Sequence, residues 1–286
     1  MTDLRTFVLM AGMTALFLVS GQLLGGHNGM VMALILAVGL NFWAYWSSDT
    51  LVLRMHNAFE VGPREAPEYY AVVQELARRA NLPMPRVYIM DDPSPNAFAT
   101  GRDPEHAAVA ATTGLLRILN REELAGVMGH ELGHVQNHDI LISTITATLA
   151  GAITTLANMA QWGAIFGMGR SNEEGGNSGG IGGFIMMLLA PLAAMLIQMA
   201  ISRSREYGAD QRGAELCGNP LWLANALNKL EAGSQRLPMG TAQANPASSH
   251  LFIVNPLSGN FLAGLFSTHP PMEDRIHRLQ QMARRR

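Results

Sequence analysis

Four long runs of uncharged, largely apolar residues limit what this chain can fold into. Residues 7–24, FVLMAGMTALFLVSGQLL, contain no charged side chain. At 1.5 Å per residue such a run is just long enough to cross the hydrocarbon core of a bilayer. After the link GGHNG, residues 30–46, MVMALILAVGLNFWAYW, form a second run. It ends in Phe42, Trp43, Tyr45 and Trp46, like an interfacial aromatic belt. A signal peptide fits the first run less well. Its leading segment balances Arg5 against Asp3, no small-residue cleavage site follows, and the second run comes at once. The pair reads as a transmembrane hairpin.

The third run, residues 140–160, is rich in threonine, and the fourth, residues 181–201, carries Pro191. The polar, flexible loop GRSNEEGGNSGG lies between them. A second transmembrane hairpin is favoured over an amphipathic hairpin packed on a soluble domain. Basic residues fall on one side: Arg5, Arg54, Arg64, Arg78, Arg79, Arg203, Arg205 and Arg284 to Arg286, against Arg170 alone on the other. The positive-inside rule then puts both termini and the polar segments in the cytoplasm. The formal net charge of −2 argues against nucleic acid as a partner. A single cysteine, Cys217, excludes an internal disulfide framework and reads as a buried small hydrophobe.

Among the polar residues, PEYYAVVQELARRA (67–80) has a helical apolar stripe, RVYIM (86–90) reads as a strand, and DDPSPN as a turn. AFAT and AAVAAT read as two further strands. Asn120 with Glu123 predicts a capping box opening the next helix. After the fourth run, residues 203–217 read as helix. Asn219-Pro220 starts another that Gly233 ends, GSQRLPMGTAQANPASSH is loop, and a last helix begins near Pro271.

The helix behind Asn120 carries His130-Glu131-Leu132-Gly133-His134. Histidines at i and i+4 share a helix face and can grip one ion, with Glu131 in reach of a water on it. Two imidazoles and a carboxylate suit zinc and leave an open coordination position. A third histidine at the metzincin spacing is absent, because Ile140 stands there, and His138 lies too far along the axis. Glu206 in SRSREYGAD is the better third ligand. Asp210, one turn on, is placed to accept a hydrogen bond from a ligating histidine. His134 and Glu206 bracket runs three and four, and a helical hairpin returns its ends to the same side.

HELGH, EYGAD, the N-terminal apolar pair and STHPPMEDRI, in this order over nearly the whole chain, resemble the HtpX family, bacterial membrane zinc peptidases related to the CAAX prenyl proteases. The resemblance implies an inner-membrane zinc endopeptidase, one Zn2+ per chain, that cuts misfolded or damaged membrane proteins on the cytoplasmic side under stress. It implies Glu206 as the third ligand and SPNAFATG as an edge strand, on which Asn96, Ala97 and Phe98 would bind an extended peptide; the segment could equally be a hairpin buried in the domain. It also makes His269 and Arg275 candidates for stabilising the oxyanion; each could equally be structural, His269 as a cap and Arg275 in a salt bridge. The fold class is then an α+β membrane protein, mainly helical, with a gluzincin-like HExxH catalytic domain, a small β-sheet and two to four transmembrane helices. Its parts are residues 1–50 (membrane hairpin), 51–139 (catalytic, with the HExxH helix), 140–201 (second apolar hairpin) and 202–286 (catalytic, with the third ligand). The competing readings are a non-catalytic zinc-binding membrane scaffold, a CAAX-type processing protease and another zinc hydrolase. Self-cleavage is expected in residues 169–180 or before His250.

Overall fold

The computed structural model describes residues 2–150, 203–256 and 270–285. The end of the third apolar run, all of the fourth, the polar loop between them and His269 lie outside the described residues.

Helix α1 (Thr2–Met55) is helical throughout, yet it doubles back on itself. In a straight helix residues 10 and 41 would stand about 46 Å apart. Instead Asn41 Nδ2 donates to the Met10 carbonyl at 3.3 Å and to Thr14 Oγ1 at 2.9 Å. The reversal falls in the GGHNG link, where Gly26 has φ +57°, a conformation that glycine adopts without steric cost. The arms touch at Gly21, where a Cβ would come within 2.5 Å of the Gly29 carbonyl oxygen. Gly26–Ser47 is long and apolar enough to span a membrane, while Thr6–Val19 and Ile140–Ala150 are shorter apolar helices. Ile35, Val38 and Phe42 on the longer arm are each more than half exposed, as lipid-facing residues would be. At the base of the hairpin Asp49 pairs with Arg86 at 2.5 Å, and Arg102 lies 4.7 Å from the Trp46 ring.

The sheet has the order β1-β2-β4-β3, with β1 Ala58–Glu60, β2 Arg86–Met90, β3 Ala97–Thr100 and β4 Ala108–Thr112. Strands β2 and β4 are parallel, and β1 and β3 add antiparallel edges. Alternation along the strands serves two cores. Val87, Val109, Ala111, Ala97 and Ala99 face α2 (Pro67–Ala80) and α4 (Arg121–Gln136). Tyr88, Met90, Ala108, Ala110 and Phe98 face Val52 and Leu53 of α1, together with Leu251 and Phe252. Because β4 is buried on both faces, its alanines leave room for helices on one side and aromatic rings on the other.

Helix α3 (Thr113–Ile118) leads into α4, and α5 (Ile140–Ala150) is the described part of the third run. Beyond it come α6 (Arg203–Cys217), α7 (Pro220–Arg236), α8 (Gly240–Ala244), a 3-10 turn (Pro246–Leu251) and α9 (Met272–Arg284). Two sequence expectations need correction here. Gly233 does not end its helix, which runs to Arg236. Its glycine answers to close packing instead, since a Cβ there would lie 2.4 Å from Pro95 Cγ. The tract expected to be loop contains α8 and the 3-10 turn. Short proline- and glycine-bounded helices of this kind have too few turns to show an apolar period. The short strand β1 and helix α3 also escape a pattern-based reading for want of length.

Candidate active site

Helix α4 is fixed at its start and buried along most of its length. Asn120 Oδ1 accepts from Glu123 N at 2.8 Å and Glu123 Oε2 accepts from Asn120 N at 3.0 Å, the capping box expected from the sequence. Lys229 Nζ meets the same carboxylate at 2.7 Å. The helix packs against α6 with almost no side chain between them. A Cβ on Gly129 would lie 2.9 Å from the Gly213 carbonyl oxygen, and one on Gly213 would lie 2.7 Å from His130 N. This close approach brings Glu206 and Asp210 of α6 opposite the histidines of α4.

The donor set is defined by proton bookkeeping. His130 Nδ1 lies 2.9 Å from Asp210 Oδ1, so Nδ1 carries the proton and Nε2 presents a lone pair. His134 Nδ1 lies 3.5 Å from Asp139 Oδ2, with the same consequence. The two Nε2 atoms are then 3.2 Å apart. Glu206 approaches them with Oε2 at 3.8 Å from His130 Nε2 and Oε1 at 3.5 Å from His134 Nε2. These lone pairs and carboxylate oxygens converge on one point, which suits a positive charge between them, a metal ion or the proton it displaces. A tetrahedral ion with ligands at 2.0–2.1 Å sets neighbouring ligand atoms about 3.3 Å apart, close to all three spacings. His130, His134 and Glu206 therefore fit zinc.

The electrostatics follow from burial and neighbouring charge. Burial holds His130 near 4, against the opposing pull of Asp210. His134 is also depressed by burial, but Asp139, Glu206 and Glu131 outweigh that and raise it to about 8. Burial pushes Glu131 up to about 7, reinforced by Glu206 and opposed by His134, Arg275 and the Ala99 main-chain N–H. Glu131 Oε1 is buried with no hydrogen-bond partner among the described residues. It is an acceptor waiting for a proton donor such as water. Asp210 keeps its charge despite burial because Arg275 holds it below the usual carboxylate range.

Arg275 is fully buried. Its Nε and Nη2 donate to the two Asp210 oxygens at 2.8 and 2.6 Å, and its Nη1 donates to the Ile253 carbonyl at 3.0 Å. Asn96 and Phe98 are also buried. Asn96 bonds the main chain of Val254, and the Phe98 ring lies against Phe252 and His56. His138 is exposed, with φ +58°.

Asp139 was not singled out from the sequence. The left-handed turn at His138 folds the chain so that Asp139 N donates to the His134 carbonyl and the carboxylate swings back to the ring. An acid just past the end of a helix whose last turn holds a ligand was the available signal. Asp139→Asn should weaken zinc affinity by about 10–100-fold, as losses of such supporting carboxylates do, measured by competition with a chromophoric chelator. Zinc must also displace the proton that His134 holds up to about 8. Apparent affinity should therefore fall by up to about tenfold per pH unit below 8, which chelator competition across that range would read.

Comparison with known proteins adds to this geometry. The profile of peptidase family M48 matches residues 63–283. A protein described as a protease HtpX homolog, from Desulfatibacillum aliphaticivorans, is 58% identical over 277 residues, covering 97% of this chain and 88% of its own. The crystal structure of S. mikatae Ste24p is similar in fold, with a TM-score of 0.52 and 18% identity over 97% of this chain. This chain spans 65% of the length of that one.

Proposed function

The chain belongs to peptidase family M48, and on that premise we propose that it is a zinc-dependent endopeptidase of the bacterial inner membrane. It cuts misfolded or damaged membrane proteins on the cytoplasmic side. The observation that carries this reading is the convergence of His130, His134 and Glu206 on one point, with Glu131 buried beside them and its Oε1 without a hydrogen-bond partner among the described residues.

The metal, when bound, supplies the positive charge that acidifies a water and polarises a carbonyl. Glu131 takes the proton from the attacking water and hands it to the departing amine. Burial raises the proton affinity of Glu131, which helps it take up the proton that it later gives to the amine. Asp210 and Asp139 hold the two imidazoles with their Nε2 lone pairs inward. With donors given to Asp210 and Ile253 and its Nη1 3.8 Å from Glu206 Oε2, Arg275 is a positioning residue in this reading. His269 keeps the proposed role of oxyanion donor. Asn96, Ala97 and Phe98 belong to the peptide groove, where main-chain pairing recognises extended chains with little sequence demand.

A non-catalytic zinc scaffold is disfavoured because burying the Glu131 carboxylate, with Oε1 left without a partner among the described residues, costs stability and gives a scaffold nothing in return. Stripping detergent-purified protein with a chelator should abolish cleavage of an unfolded polypeptide, and stoichiometric zinc should restore it. Cleavage that survives complete metal removal would refute the reading.

A further inference from the structure

The outer edge of β3 is already filled, and the residues that fill it are held as a peptide would be. Antiparallel pairing turns alternate main-chain groups toward β4, so those of Ala97 and Ala99 face the other way. On that side Ile253 N donates to the Ala97 carbonyl at 3.0 Å. Asn96 grips the next residue at both of its main-chain groups. Its Nδ2 donates to Val254 O at 2.8 Å, and its Oδ1 accepts from Val254 N at 3.3 Å. Arg275 Nη1 donates to Ile253 O. Each of these bonds reads main chain, the mode by which a sheet edge binds peptides of varied sequence.

One side chain is seated in a pocket. Phe252 is fully buried, with its ring edge-on to Phe98 at 5.2 Å and to His56 at 4.9 Å between centroids. A latch lies just upstream. His56 Nε2 meets Ser248 Oγ at 2.8 Å and His56 Nδ1 meets Thr241 Oγ1 at 3.1 Å, tying the segment to the foot of the α1 hairpin. With Leu251, Phe252 and Ile253 along its wall, the cavity at the metal ligands measures about 30 Å³. That is room for a water or two, and too little for a polypeptide.

We propose that residues 252–254 occupy the peptide groove as an internal ligand. A substrate binds by displacing them, taking over their bonds to Asn96 and Ala97, and it places a bulky apolar or aromatic side chain in the Phe252 pocket. This rests on the endopeptidase reading above. The exchange is close to like for like in hydrogen bonds, so the segment can leave without stranding buried polar groups. Substrate affinity is then reduced by the fraction of molecules whose groove is open.

Binding can be tested without catalysis. In full-length zinc-loaded enzyme carrying Glu131→Gln, fluorescein-labelled casein should bind roughly fivefold or more tightly when Phe252→Ala or Ser248→Ala is added. The serine variant loosens only the latch and stands in if the phenylalanine variant does not fold. Equal or weaker binding by a folded variant overturns the proposal. In parallel, casein fragments cut by the wild type should show an aromatic or large aliphatic residue at one fixed distance from the cut; fragments without such a position overturn the pocket assignment. Failure of the wild type to cut casein at all, with binding enhanced in the variants, would count against the endopeptidase reading and leave the internal ligand standing.

Discussion

Glu131→Gln should lower kcat for polypeptide cleavage by at least about 10²–10⁴-fold, the usual contribution of a positioned general base, and leave zinc binding nearly intact. The separation of the two effects follows from the geometry. Glu131 is one step around the helix from His130 and is not among the three ligands, so its loss leaves their Nε2 and carboxylate atoms in place. Glutamine is nearly the same size, and at this site it removes an acid whose ionised form burial disfavours more than its neighbours favour it. The variant should therefore be as stable as the wild type or slightly more so. Its effect on pH dependence is equally direct. Glu131 stands near 7 in the protein alone, and a neighbouring cation lowers it. The acid limb of kcat/KM should then lie at or below about pH 7, with activity falling as the carboxylate takes up its proton. Equal loss of zinc and of activity in Glu131→Gln would show that the residue holds the site together instead.

Arg275→Met should be the most destabilising of the substitutions considered. The wild-type guanidinium is fully buried and gives Asp210 two hydrogen bonds. Without it Asp210 is a buried carboxylate with only His130 Nδ1 beside it. Breaking a buried pair from one side costs about 3–5 kcal/mol, which in a domain of this size lowers Tm by on the order of 10 °C. The Ile253 carbonyl also loses its donor. Adding Asp210→Asn removes the stranded charge and should recover part of the loss, which thermal unfolding in detergent would show. Lysine at 275 should not rescue, because one ammonium cannot reproduce the two-pronged contact. A Tm within a degree or two of wild type for Arg275→Met would mean that the pair contributes little.

The ligand helix was legible in the sequence because its signals are local. The i, i+4 histidines, the Asn120–Glu123 cap and the glycines between them all lie within one helix. Glu206 and Asp210 required an argument about topology, that a hairpin returns its ends to one side, and the structure places both against the histidines. The GGHNG reversal was legible because the link between two apolar runs is too short for anything but a tight hairpin. The route of residues 241–254 was hidden for the opposite reason. Those residues are ordered by a distant strand, a histidine at the end of α1 and an arginine of α9, none of which leaves a mark in the local pattern. Asn96 shows the middle case: its taste for main chain could be anticipated, but not that its own chain would satisfy it.

The central claim is that His130, His134 and Glu206 hold one zinc in an active peptidase. X-ray absorption at the zinc edge of the purified, proteolytically active enzyme tests it most directly. The account predicts one zinc per chain with two imidazole nitrogens and only oxygen besides, at about 2.0–2.2 Å. A sulfur in that shell, a third imidazole, or full activity with far less than one zinc per chain would contradict it.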